Sequence, residues 1–176
     1  MHLSVAFSEI PEHGLQVEVA DTAWFPEDVV TRTGNISTDL ILSKKGESKV
    51  ELRGKIAVMV QLDCDRCLAG FNYTIDAPIQ VILEVPDPSH HWHLQDLELG
   101  ETDIETIVLD EPVVDIGDIL RQQVLLALPE KQVCSVACLG LCDKCGTNLN
   151  VKPCQCRKKA VNSPFAVLAQ YKNKKK

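Results

Sequence analysis

Residues 49–85 alternate apolar and polar side chains on both sides of a short interruption. In "KVELRGKIAVMVQL", Val50, Leu52, Ile56, Val58, Val60 and Leu62 recur at period two, and the pattern resumes after "DCDRCLAG" in "FNYTIDAPIQVILEV". A period of two places every apolar side chain on one face of an extended strand, so that face must be buried. Two such runs joined by a few residues predict a long antiparallel hairpin with Cys64 and Cys67 at its turn. The shorter runs "LSVAF", "LQVEVA" and "ISTDLIL" read as further strands of the same sheet or of a small barrel.

Downstream, "PDPSHHWHLQDLELGETD" has neither period and two prolines, which predicts a loop over residues 86–103. "IETIVL" reads as a strand. In "VDIGDILRQQVLLALPE", Asp115 can cap a helix, Asp118 suits its first turn, Ile116, Ile119, Leu120 and Val124 form an apolar stripe, and Pro129 ends it. From there to Arg157, cysteine, glycine and asparagine replace apolar periodicity. "SPFAVLAQYK" then reads as a short helix, with Ser163 as cap and Pro164 at its first position, before a lysine tail. The expected fold class is α+β: mainly an antiparallel sheet or small barrel, one packing helix and a C-terminal cysteine-rich metal-binding segment. The expected division is 1–129, an acidic β-rich domain, and 130–176, a basic cysteine-rich segment with a short helix and lysine tail.

That segment needs another source of order. Five of the chain's eight cysteines fall in "CLGLCDKCGTNLNVKPCQC", with Cys134 just upstream. The N-terminus lacks a basic region followed by a long apolar run, and no window is apolar enough to span a bilayer, so the expectation is a cytosolic protein without a membrane partner. In a reducing compartment such cysteines favour metal ligation over disulfides. Cys142-x2-Cys145-Gly146 has the form of a metal knuckle, in which two thiolates converge from one tight turn and the glycine supplies a positive φ. Cys154-x-Cys156 is the nearest second pair, and four thiolates favour zinc in a closed, structural site. Lys144, Lys152 and Arg157 would offset its negative charge. Cys134 and Cys138 are alternates for any of these four, or partners of Cys64 and Cys67 in a second site. Cys64 and Cys67 otherwise read as packed turn residues. A thioredoxin-like dithiol should open a helix inside a βαβ unit, and this pair lies between strands. His90, His91 and His93 read as solvated loop residues. A Gly-rich phosphate loop, a GxSxG elbow and an HExxH helix are all missing from the sequence, and an enzyme is not expected.

The net charge of −7 is unevenly spread. Residues 1–129 hold 8 Lys/Arg against 23 Asp/Glu, and residues 130–176 hold 10 against 2, giving −15 and +8. An acidic body with a basic end is the pattern expected when that end alone meets a polyanion.

Taken in order, "LDCDRCLAGF", "DIGDILRQQVLLALPEKQVC", "CLGLCDKCGTNLNVKPCQC" and "NSPFAVLAQYK" resemble the YceD family, the large ribosomal RNA subunit accumulation proteins, over roughly residues 45–172. The resemblance implies a non-catalytic factor in the processing or accumulation of large-subunit (23S) ribosomal RNA during ribosome biogenesis. Some members keep only the CxxC similar to Cys64 and Cys67, which favours a C-terminal site closed within its own segment. Charge and resemblance together point to RNA contact by Lys144, Lys152, Arg157, Lys158, Lys159, Lys172, Lys174, Lys175 and Lys176, with Phe165 or Tyr171 as stacking groups. The competing reading is an interaction adaptor that binds ribosomal proteins or assembly factors.

Overall fold

The computed structural model describes residues 3–86 and 106–156. The expected loop at 86–103, with His90, His91 and His93, lies almost wholly outside them. So do the C-terminal helix and the basic residues Arg157, Lys158, Lys159, Lys172, Lys174, Lys175 and Lys176.

The alternating runs form the two longest strands, β5 (Lys49–Asp63) and β6 (Gly70–Glu84), paired antiparallel from Lys49↔Glu84 to Asp63↔Gly70. β4 (Ser37–Lys44) adds to the other edge of β5, and β2 (Leu15–Val17) to β4, both antiparallel. β3 (Thr31–Arg32) pairs with β5 at Gln61 and Val60, beyond the reach of β4. β7 (Thr106–Val108) lies parallel to β6, and the stretch between them is long enough for the return crossing that parallel pairing demands. The sheet order is β2-β4-β5-β6-β7, with β2 and β7 as edges, so the sheet stays open and no barrel closes among the described residues. The run at 3–7 does form a strand, β1 (Ser4–Ala6). It pairs with β8 (Val113–Asp115) in a separate two-stranded ribbon rather than joining the main sheet.

The inward face of the sheet is made by Leu40 and Leu42 of β4, Val50, Leu52, Ile56, Val58, Val60 and Leu62 of β5, and Ile75, Ile79, Val81 and Leu83 of β6, all buried. Helix α1 (Ile116–Leu126) supplies Ile116, Ile119, Leu120 and Val124 to the same core. Each such side chain contributes on the order of 1.5–3 kcal/mol on burial. Asp115 caps α1 by accepting from the Asp118 N–H at 3.0 Å, as its position in the sequence predicts. Gly54 is required by the close approach of β4, because a Cβ there would collide with the Asp39 carbonyl oxygen. On the outward face Glu51 is only 4% exposed, and Lys45 at 3.1 Å and Arg53 at 2.6 Å balance its charge. Among the described residues no helix is long and apolar enough to cross a membrane.

Candidate metal centre

The hairpin tip and the segment after α1 meet around cysteine. Cys64 follows β5 directly, and the turn through Cys67 is closed by the Leu68 N–H donating to the Cys64 carbonyl at 2.8 Å and the Cys64 N–H donating to the Ala69 carbonyl at 3.0 Å. Leu68 takes φ +57°, a left-handed conformation unusual for a side chain with a Cβ. Against this turn lies the chain from Gln132 to Leu141. The Asp65 N–H donates to the Gln132 carbonyl at 2.7 Å and the Gln132 N–H to the Asp65 carboxylate at 2.8 Å. The Leu141 N–H donates to the Arg66 carbonyl at 3.0 Å, and the Arg66 guanidinium to the Cys138 carbonyl at 3.1 Å. The result is a four-sulfur group. The Sγ atoms of Cys64 and Cys138 are 3.8 Å apart, those of Cys67 and Cys134 3.7 Å, and all four lie within 4.8 Å of one another. Cys64, Cys67 and Cys138 are buried with Phe71, Val133 and Leu141 packed around them, while Cys134 is exposed.

A second group is built the same way. The Gly146 N–H donates to the Cys142 carbonyl at 2.9 Å and the Cys142 N–H to the Thr147 carbonyl at 2.9 Å, with Gly146 at φ +67°. Residue for residue these are the bonds of the hairpin tip. An isolated bridge between Leu141 and Asn148 and a bond from the Leu149 N–H to the Gly140 carbonyl at 2.9 Å hold the loop. The sulfurs of Cys142, Cys145, Cys154 and Cys156 lie within 4.8 Å of one another. Cys142 is buried, Cys154 half-buried, and Cys145 and Cys156 exposed. Asn150 connects the groups: its Nδ2 donates to Cys138 Sγ at 3.3 Å while its Oδ1 accepts from the Leu139 N–H at 2.8 Å.

Both groups set the acidities of their thiols far apart. In the first, the Cys134 N–H, with those of Arg66 and Cys67, draws the Cys64 thiol down to about 6, while the adjacent Cys138 sulfur pushes Cys134 up to about 12. In the second, the Thr147 hydroxyl draws Cys145 down to about 6 and the Cys145 sulfur pushes Cys156 up to about 12. Sulfurs this close accept one negative charge readily and resist the next, which is the electrostatic demand that a divalent cation meets. A tetrahedral ion about 2.3 Å from each thiolate separates the sulfurs by about 3.8 Å, the spacing of the Cys64–Cys138 and Cys67–Cys134 pairs, and either group can hold a metal ion.

The structure thus brings together Cys142, Cys145, Cys154 and Cys156, the set chosen from spacing. It does not place the alternates Cys134 and Cys138 with them. Those two join Cys64 and Cys67 of the hairpin tip in a second group, the alternative that spacing left open, while the set 142–156 closes within its own segment. Local spacing does not choose this grouping, because the partners lie 67 and 74 residues apart. Leu68 and Asn150 escaped the sequence reading altogether. Leucine after the second cysteine of Cys64-x2-Cys67 hid the left-handed residue of that turn, which glycine announces at 146. Of the basic candidates, Lys144 sits inside the second knuckle and Lys152 just beyond its loop, both exposed.

Residues 52–172 match the family described as large ribosomal RNA subunit accumulation protein YceD. An uncharacterised protein of Mycobacterium tuberculosis is 27% identical over 146 residues, which covers 80% of this chain and 67% of the relative. A chloroplastic protein of Arabidopsis thaliana, named large ribosomal RNA subunit accumulation protein YCED homolog 1, is 29% identical over 152 residues, 76% of this chain and 46% of its own length. No solved structure matches the chain. With the family matched across both knuckles and most of the sheet, the chain belongs to the YceD family of large ribosomal RNA subunit accumulation proteins.

Proposed function

We propose that this protein is a non-catalytic factor in the accumulation of large-subunit ribosomal RNA, acting in the cytoplasm where ribosomes are assembled. It binds that RNA or its precursor through residues 130–176, a unit ordered by zinc at Cys142, Cys145, Cys154 and Cys156. The observation that carries the reading is the exposed second knuckle with Lys144 and Lys152, standing in the part of the chain that holds +8 while the sheet domain holds −15. Four sulfur donors select zinc over harder cations and leave no position for a catalytic water. Ion binding supplies on the order of 10 kcal/mol to a segment that buries little apolar surface. The acidic body repels phosphate and keeps contact to one end.

RNA affinity measured across a salt series tests this. Replacing Lys172, Lys174, Lys175 and Lys176 by alanine should weaken binding of large-subunit ribosomal RNA and flatten the slope of log K against log salt by up to about 3, given roughly 0.7–0.9 per phosphate contact. Lys44→Ala is the control in the acidic body, since Lys45 is engaged with the buried Glu51. An unchanged slope would sink the reading.

A second reading, an adaptor for ribosomal proteins or assembly factors, is favoured by Leu68, Val136 and Leu139, which are 69%, 94% and 68% exposed around the first sulfur group. Co-purification with a ribosomal protein after nuclease treatment, together with no RNA affinity at any salt, would select it.

A further inference from the structure

The segment after α1 is fastened to the sheet by few apolar contacts. Phe71, Val133 and Leu141 are the hydrophobic side chains packed on the first sulfur group among the described residues, and Val136 and Leu139 beside it face solvent. Its hydrogen bonds reach the hairpin tip at Asp65 and Arg66, two residues of a turn. Yet four sulfurs converge there within 4.8 Å of one another, and the two pairs at 3.7 and 3.8 Å match the spacing of a tetrahedral thiolate site. One half is a knuckle whose backbone bonds repeat those of Cys142–Thr147, and it sits at the end of two long paired strands, so two of the four ligands are already held in place by the sheet. The other half comes from a segment with no strand or helix of its own. Three of the four cysteines are buried, so that an ion held by the four thiolates would be shielded from water.

We propose that Cys64, Cys67, Cys134 and Cys138 form a second zinc site, separate from that of Cys142, Cys145, Cys154 and Cys156, and that its ion fastens the segment following α1 onto the tip of the β5–β6 hairpin. The chain then holds two zinc ions of different purpose. One closes a local loop, and the other joins regions 67 and 74 residues apart. Asn150 couples them, since its amide reaches from the loop of one site to the Cys138 sulfur of the other. This inference stands whether or not the protein binds RNA.

Cobalt(II), whose tetrahedral thiolate complexes absorb intensely, is the probe. Titrated into the reduced, metal-free full-length chain, it should saturate at two equivalents. Cys64→Ser/Cys67→Ser and Cys142→Ser/Cys145→Ser should each saturate at one. Saturation of the unaltered chain at one equivalent, or two equivalents retained by Cys64→Ser/Cys67→Ser, would overturn the proposal. Hydrogen exchange on the unaltered chain gives a readout that does not depend on variants folding. Metal should slow exchange at 64–69 and 132–141 as well as at 142–149, with β5 protected throughout. Protection confined to 142–156 would refute the fastening.

Discussion

Leu68 and Gly146 occupy the same place in two matching turns: each follows the second cysteine of a CxxC pair, each donates its N–H to the carbonyl of the first, and each is left-handed, at φ +57° and +67°. Leucine pays about 1–2 kcal/mol for that conformation and glycine almost none. Because Leu68 is largely exposed, its side chain contributes little packing in return. Leu68→Gly should therefore raise the stability of the metal-loaded protein by up to about 1 kcal/mol, and Leu68→Val should lower it by a similar amount. Thermal unfolding with metal in excess measures both.

Removing the cap of α1 should have a local and modest cost. Asp115→Ala deletes the carboxylate that accepts from the Asp118 N–H, and the expected loss is about 1 kcal/mol in urea unfolding. Asp115→Asn, which keeps an accepting oxygen, should recover most of it.

Gly54→Ala should be far more damaging. The added methyl group would meet the backbone of Asp39 and Leu40 rather than a side chain that could swing away, so β4 must separate from β5. A loss above about 3 kcal/mol is expected, seen as a collapse of the denaturation midpoint.

Metal binding should release protons. At neutral pH in the metal-free chain, Cys134 and Cys156, pushed up to about 12, hold their protons, and an incoming ion must displace them. Affinity therefore falls as pH falls. It falls more steeply below about 6, where Cys64 and Cys145 also protonate. Calorimetric titrations in buffers of different ionisation enthalpy should find more than one proton released per ion.

The parts of the fold legible in the sequence are those with a period and a length. Fifteen alternating residues on each side of Cys64 and Cys67 define β5 and β6 without ambiguity, and Asp115 marks where α1 begins. β3 is two residues long, and β1 and β8 are three each. Such pieces carry no measurable period, and their partners are chosen by the tertiary fold. The second sulfur group was legible because Cys142, Cys145, Cys154 and Cys156 are near neighbours in the chain. The first is legible only as one alternative among several, because nothing local to Cys134 or Cys138 singles out a hairpin tip some seventy residues away.

Apolar alternation has a weakness that the turn between the strands makes good. A pattern of period two is blind to a slide of two residues: the inward side chains of β6 would still point inward, and most of the buried area would survive. The observed alignment, Val58 opposite Ile75 and Leu62 opposite Phe71, is one of several that hydrophobicity alone would accept. A two-residue slide shifts one arm of the hairpin by about 7 Å, more than the 4.8 Å within which the four sulfurs now lie, and would carry its tip out of step with Cys134 and Cys138. The closed turn from Cys64 to Ala69 sets that phase, and an ion on the four thiols would lock it, an index mark on a ruler for a repeat that cannot count for itself.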